Sequence, residues 1–245
     1  MEEFSNGSSW VHRLDPRVKI LVALIFSIVV ALDNRLEVAL ISLAAPVILS
    51  LWARLGLKPL LARMAIINGF NVFLWLFLPF TTPGTPVYQL WGLAITSEGI
   101  KLATLLTIKS NSIVLMVTVM LGTSQVFSLA HALSHLYVPD KLVHLFFFCF
   151  RYIHVIEEEY SRLVTAMKMR GFRPRTDVHT YRSYSYLIGM LLVRSFDRSK
   201  RIMQAMKLRG FKKRFYILHH YEMKSCDYAM ALSGVVFSTF VLVTR

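Results

Sequence analysis

Five long apolar runs constrain what this chain can fold into. The runs occupy residues 18–32, 36–53, 64–80, 99–121 and 225–244. With their flanking residues they approach the length of about 20 residues that a helix needs to cross the hydrocarbon core of a membrane. Backbone polar groups in lipid must be paired within the segment, which a helix achieves by itself. The chain is 55% hydrophobic. The sequence therefore predicts an all-α integral membrane protein with about five transmembrane helices.

The basic residues are concentrated in one region of the chain. Of the 28 Lys and Arg residues, 18 lie between residues 124 and 225, and none lies between 81 and 98. A net charge of +14 would suggest nucleic-acid binding in a soluble protein, but segregated cations instead indicate membrane topology, with basic loops in the cytoplasm. We therefore predict three parts: a membrane bundle of four spans over 1–123, a cytoplasmic region over 124–224 and a last transmembrane helix over 225–245. The N-terminus is then predicted to be cytoplasmic. Membrane lipid is expected to contact the spans, and the chain is not expected to bind nucleic acid.

The cytoplasmic region contains two predicted long helices, over 139–170 and 184–209. Each begins with an apolar part, 142–150 or 186–193, and continues with a charged part. Runs of that length are too short to span a bilayer. We expect the two helices to cross each other beneath the membrane. A shorter amphipathic helix is predicted over 123–136, and the uncharged segment 81–97 is predicted to be an external loop.

A seven-residue segment occurs twice in this region. Residues 166–172 read Ala-Met-Lys-Met-Arg-Gly-Phe and residues 205–211 read Ala-Met-Lys-Leu-Arg-Gly-Phe, so six of seven positions are identical. Gly171 and Gly210 suit the left-handed position that ends a helix. Arg170 and Arg209 then lie in the last turn, where the helix dipole favours a cation. One copy alone could be simple helix-stopping chemistry.

The similarity of the two copies extends upstream along one helical face. The first stripe is Glu158, Arg162, Ala166 and Arg170, and the second is Asp197, Arg201, Ala205 and Arg209. Spacing by four places each set on one face of a helix. An Ala on that face lets a neighbouring backbone approach, and an Arg presents a fork of donors to carboxylates or carbonyls. The stripes predict two similar helix tips that dock into two similar sites on a dimeric or pseudo-symmetric partner.

These features resemble a known family of membrane proteins. The paired Ala-x-x-x-Arg-Gly motifs, the segment Leu-Leu-Val-Arg-Ser-Phe-Asp-Arg at 191–198 and the opening His-Arg-Leu-Asp-Pro-Arg-Val-Lys at 12–19 are similar to those of T components of energy-coupling-factor (ECF) ABC transporters. Within that family the chain most resembles the CbiQ-type cobalt transport permease. The resemblance implies a non-catalytic coupling subunit of the cell inner membrane. The docking positions that it implies are Ala166, Arg170 and Gly171 in one copy and Ala205, Arg209 and Gly210 in the other.

The resemblance also implies the partners. They are a dimer of CbiO-like ATPase subunits, a CbiM-like substrate-binding S component and a small CbiN-like membrane subunit. ATP and Mg²⁺ would be bound by the ATPases, and this chain would hold no cofactor. Cobalt is the implied substrate, while nickel or a vitamin stays open. The sequence has no Gly-Lys dipeptide and hence no Walker A loop.

Other candidate chemistry is weaker. His131 and His135 have a spacing that permits metal ligation, but such pairs are more often structural, so no metal site is predicted. Lys109 is expected to make a hydrogen bond between helices of the bundle rather than to line an ion pathway, and contact with a partner membrane subunit is a further alternative. Cys149 and Cys226 are expected to be buried apolar residues.

Two rival functions are a membrane enzyme acting on lipid head groups and an anchor for anionic lipid. Neither explains the repeat.

Overall fold

The computed structural model describes residues 7, 9–90, 93–136, 138–211 and 225–243. The elements are a 3-10 helix Trp10–Arg13, α1 Pro16–Leu32, α2 Leu36–Trp52, α3 Leu57–Thr81, β1 Pro86–Leu90, β2 Leu93–Thr96, α4 Ser97–Gly122, α5 Val126–His135, α6 Asp140–Met169, α7 Val178–Leu208 and α8 Ser225–Val243. The predicted all-α class is confirmed, with one short hairpin added. The chain divides into two compact units, Met1–Val138 with Tyr221–Arg245, and Pro139–His220.

The first unit is a helical bundle in which α4 packs against α1, α2 and α3, while α8 and α5 pack against α1. The start of α1 follows from local chemistry. Pro16 occupies the first helical position, and the Asp15 carboxylate accepts a hydrogen bond from the Arg17 N–H at 2.9 Å. Apolar side chains of α1 and α4, including Phe26 and Met120, form the core of the unit.

Two buried lysines are held inside this bundle. Lys109 donates hydrogen bonds to the Ala31 carbonyl at 3.1 Å and to Asn34 Oδ1 at 3.0 Å, which confirms its predicted contact between helices. Lys19 is completely buried and donates to Thr123 Oγ1 at 3.1 Å and to Ser124 Oγ at 2.8 Å. The sequence analysis did not anticipate this second site.

The outer surface of the first unit suits a membrane. Within the described residues, α3 and α4 are long and apolar enough to cross one, and α2 is apolar but shorter at 17 residues. On α3, Ile66 and Phe70 are 78% and 65% exposed. Large apolar side chains spread over a surface in this way are stabilised by lipid rather than by water. The number of five spans stays a prediction.

The structure corrects several local predictions. Within the predicted loop, Pro86–Leu90 and Leu93–Thr96 form two paired antiparallel strands, in which Tyr88 pairs with Ile95. Val87, Tyr88, Ile95 and Thr96 are residue types that favour strands. Cys149 and Cys226 are exposed, not buried, because they lie on the outer faces of α6 and α8. Trp91, between the strands, lies outside the described residues.

The second unit consists of α6 and α7, so both predicted long helices are present. The short connection 170–177 places the start of α7 beside the end of α6, where the Phe172 and Tyr184 rings lie 5.8 Å apart. Farther along, Glu159 of α6 contacts Arg194 of α7. The end of α6 therefore lies near the start of α7, and the two helices are antiparallel. Their C-terminal ends lie on opposite sides of the contact. The helix α7 begins at Val178, six residues before its predicted start.

Candidate docking site at two helix ends

The end of α6 is a Schellman motif. The Phe172 N–H donates to the Met167 carbonyl at 3.1 Å, and the Gly171 N–H donates to the Lys168 carbonyl at 3.0 Å. Gly171 has φ +80°, in the left-handed region that glycine adopts without steric cost. The backbone therefore leaves the helix axis immediately after Arg170. The predicted helix stop is confirmed.

The end of α7 has the same geometry. The Phe211 N–H donates to the Met206 carbonyl at 3.0 Å, the Gly210 N–H donates to the Lys207 carbonyl at 3.0 Å, and Gly210 has φ +78°. Corresponding hydrogen bonds in the two ends differ by no more than 0.1 Å. Because this motif is closed by contacts within six residues, two nearly identical sequences produce two nearly identical tips.

All six predicted docking residues are exposed, namely Ala166, Arg170, Gly171, Ala205, Arg209 and Gly210. Within the described residues, neither the Arg170 nor the Arg209 guanidinium makes an ion pair or a side-chain hydrogen bond. Each Arg thus keeps its five donors available for a partner. The structure brings each Ala, Arg and Gly together at one tip, and it keeps the two tips apart.

The sequence analysis missed one apolar residue at each tip. Met169 and Leu208 directly precede the two Arg residues and are 84% and 89% exposed. Each of these side chains lies beside a predicted docking residue, so a partner that contacts the tips would also cover it. Their equivalent positions in the repeat could have identified them.

The two supporting stripes have matching residues but differ in the ion pairs that these residues form. Glu158 and Arg162 form an exposed ion pair with an N–O distance of 3.6 Å. Asp197 and Arg201, which are also exposed, form no ion pair in the part of the chain that the structure describes. An exposed pair on one helix contributes only about 0.3–0.5 kcal/mol, so the difference has little effect on stability.

A second ionic cluster, which the sequence analysis did not select, links α6 to α7. The Glu159 carboxylate accepts a hydrogen bond from Arg194, and it lies 3.9 Å from a guanidinium nitrogen of Arg198 and of Arg162. The Glu159 side chain is only 13% exposed. The hydrogen bond from Arg194, helped by the positive charges around it, holds the pKa of Glu159 below its usual range. Glu159 is therefore ionised at neutral pH.

Open space flanks this cluster on both sides. We call the cavity of about 310 Å³ between Phe148, Ile156, Leu191 and Met206 the first groove. The second groove, of about 580 Å³, lies between Ala166, Arg170 and the start of α7. Arg194 lines both grooves, so it stands between them. The side-chain contact of Arg194 with Glu159 therefore bridges the two helices with open space on either side.

Metal-binding chemistry is limited. The rings of His131 and His135 lie 4.7 Å apart in an edge-on arrangement. The described residues contain no group of three or more His, Cys, Asp or Glu side chains that could hold a metal ion. His219 and His220 lie outside those residues.

Replacing the terminal glycines tests the geometry of the tips. A Cβ at Gly171 or Gly210 would meet nothing within 4 Å, so only the left-handed backbone opposes Ala there. We expect Gly171→Ala or Gly210→Ala to cost about 1–2 kcal/mol locally and Asn to cost less. Hydrogen exchange of the Phe172 and Phe211 amides would show the frayed last turn. Gly189→Ala, inside α7 and also without neighbours, is the control and should leave these amides protected. Unchanged exchange in the Ala variants would contradict the proposed role of the glycines.

Comparisons with known proteins agree on one family. A family model described as CbiQ, cobalt transport protein, matches residues 7–217. Similar curated proteins are named energy-coupling factor transporter transmembrane protein EcfT. The protein from Leuconostoc gelidum subsp. gasicomitatum is 29% identical over 186 residues, covering 69% of this chain and 66% of the relative. That from Limosilactobacillus fermentum is 32% identical over 181 residues, covering 66% and 64%. That from Thermosediminibacter oceani is 23% identical over 215 residues, covering 80% and 78%.

These matches cover only part of the length of the relatives. The chain spans just under two thirds of the length of the relatives that it matches first, 66% and 65%. The family match covers both copies of the repeat. The match therefore shows which family the chain belongs to, and that family consists of membrane proteins.

Proposed function

We propose that this chain, which belongs to the CbiQ family of cobalt transport proteins, is the coupling T component of an ECF-type ABC importer. The observation that carries the proposal is the pair of exposed helix ends with the same hydrogen bonds, the same glycine conformation and the same unpaired Arg. Two equal tips suit a partner that offers two equal sites. A dimer of CbiO-like ATPase subunits has that symmetry.

In this proposal ATP hydrolysis takes place on the partners. ATP and Mg²⁺ belong to the ATPase subunits, and this chain is not an enzyme and needs no cofactor. A CbiM-like S component would bind the substrate, with a small CbiN-like subunit beside it. Cobalt ions are the substrate that the family description favours. Nickel or a vitamin is the alternative, because one T component can serve different S components.

The mechanism would be mechanical. Arg170 lies eleven residues beyond Glu159, and Arg209 lies fifteen residues beyond Arg194. At 1.5 Å per residue, the tips are about 16 Å and about 22 Å along their helices from the contact, in opposite directions. A change in the spacing of the two ATPases would therefore act at both ends of a helix pair. The pair would pass the motion to the S component.

The location follows from the same proposal. The protein would be a multi-pass component of the cell inner membrane, with its N-terminus and residues 124–224 in the cytoplasm, where ATP is available. The apolar exposed face of α3 would contact lipid. The positive-inside rule supports this orientation.

Co-purification tests the docking step. Arg170→Glu combined with Arg209→Glu should abolish capture of the ATPase pair, because each charge reversal removes the donors from a partner acceptor and adds repulsion. Lys168→Glu with Lys207→Glu is the matched control, since it makes the same charge change in the same helical turn on a different face. The control should retain the ATPases. Equal capture by both double variants would refute docking through the Arg residues.

A further inference from the structure

An ionic cluster joins α6 to α7, in addition to the ring contact of Phe172 with Tyr184. Glu159 accepts a hydrogen bond from Arg194 and lies within 3.9 Å of Arg198. Its neighbour Glu158 is 69% exposed and pairs only within α6, with Arg162. Adjacent carboxylates on one helix thus have different surroundings, and one of them joins the two helices.

The position of the cluster matters for the motion of the tips. The first groove opens on one side of Arg194 and the second groove on the other. Open space therefore lies on both sides of the ionic contact, and close packing, which resists rotation of one helix on the other, is reduced there, while the Phe172 and Tyr184 rings still touch at the start of α7. A charge-assisted hydrogen bond with fixed geometry at such a point restrains the angle between the helices. Without it, a displacement of one tip would change that angle instead of moving the other tip.

We propose that Glu159 and Arg194 form the pivot that holds α6 and α7 at a fixed angle, so that the two tips move as one rigid pair. Both would act as positioning residues, because they would work through the tips that dock. This inference rests on the proposed coupling function. It adds that docking and coupling are separable: the tips bind the ATPases, and the pivot determines whether that binding produces transport.

Distance measurements between the tips test the pivot directly. Spin labels would be placed at Lys168→Cys and Lys207→Cys, both exposed, after the exposed Cys149 and Cys226 are replaced by Ser. The measurement uses the full chain in complex with the ATPases and the S component. We expect a narrow distance distribution that Glu159→Gln broadens. Glu158→Gln is the control and should leave the distribution narrow. The exchange Glu159→Arg with Arg194→Glu restores a pair of opposite charges and should narrow it again.

Transport measurements distinguish the pivot from the docking model. In Glu159→Gln we expect the ATPases to remain bound and ATP hydrolysis to continue, while the number of cobalt ions transported per ATP falls about tenfold. The charge exchange should recover part of that ratio. An unchanged ratio together with a narrow distance distribution would overturn the pivot and leave docking intact. Failure of the docking model itself would appear separately, as ATPase capture by the Arg170→Glu, Arg209→Glu variant.

Discussion

If the proposed function holds, we expect ATP-dependent cobalt uptake by the reconstituted complex to fall to background when Arg170→Glu and Arg209→Glu are combined. Each Arg is exposed and unpaired among the described side chains, at the point where a Schellman turn takes the backbone away from the helix. Losing one charged partner from a buried interface costs about 2–5 kcal/mol. Two such losses weaken ATPase association by several orders of magnitude. Uptake of radioactive cobalt into proteoliposomes provides the measurement.

The comparison between single and double variants sharpens this expectation. Each single reversal leaves one tip docked, so uptake falls strongly while some ATPase remains bound. Lys168→Glu with Lys207→Glu keeps uptake near the wild-type rate, because only the face that carries the Arg residues is engaged. ATP hydrolysis by the isolated ATPase subunits serves as a control for their activity. Wild-type uptake in the double Arg variant would reduce the repeated segment to a helix stop.

We expect Lys19→Met to destabilise the membrane bundle severely. The Lys19 ammonium is completely buried, and it experiences the charges of Asp227 and Asp15, which are themselves 3% exposed. The Asp15 N–H also donates to Asp227 Oδ1 at 2.8 Å, which ties the start of α1 to α8. Methionine has a similar length but removes the cation from beside two buried carboxylates, of which Asp15 keeps Arg17 at 4.0 Å. Breaking a buried charge arrangement from one side costs about 3–5 kcal/mol.

Thermal unfolding in detergent measures this effect. At about 2–4 °C per kcal/mol for a chain of this size, the midpoint should fall by roughly 10 °C. Lys101→Met makes the same substitution at an exposed position of α4 and should have little effect. Combining Lys19→Met with Asp227→Asn should recover part of the loss, since it removes one of the buried negative charges that lie near Lys19. A midpoint equal to that of the wild type would show that the buried lysine contributes no electrostatic stabilisation.

The helix ends show how much can be predicted from sequence. Gly171 and Gly210 were expected to terminate helices, and both adopt the left-handed conformation with the predicted Arg in the preceding position. The N-terminus of α1 at Asp15 and Pro16 was equally predictable. These features depend on contacts among residues that are close in the chain. Their chemistry is complete within a few residues and needs no partner.

Other features needed the distant parts of the chain. Nothing in the run Glu157-Glu158-Glu159 indicates which carboxylate faces Arg194, because that depends on how α6 and α7 meet, 35 positions apart in sequence. The burial of Lys19 follows from the end of α4 and the start of α8 closing over it. The exposure of Cys149 was mispredicted for the same reason, since a residue type does not reveal which side of a helix is covered.

Apolar run length, charge segregation and local turn chemistry thus decided the class of protein, the positions of its helices and the form of its two tips. The periodicity of apolar residues along a helix and the hydrogen bonds that end a helix depend on residues that are neighbours in sequence. The tertiary structure decided which charges are buried, which one joins α6 to α7 and that the tips face opposite ways. Those outcomes depend on the packing of segments that are far apart in the chain, where one residue of rotation exchanges a buried carboxylate for an exposed one.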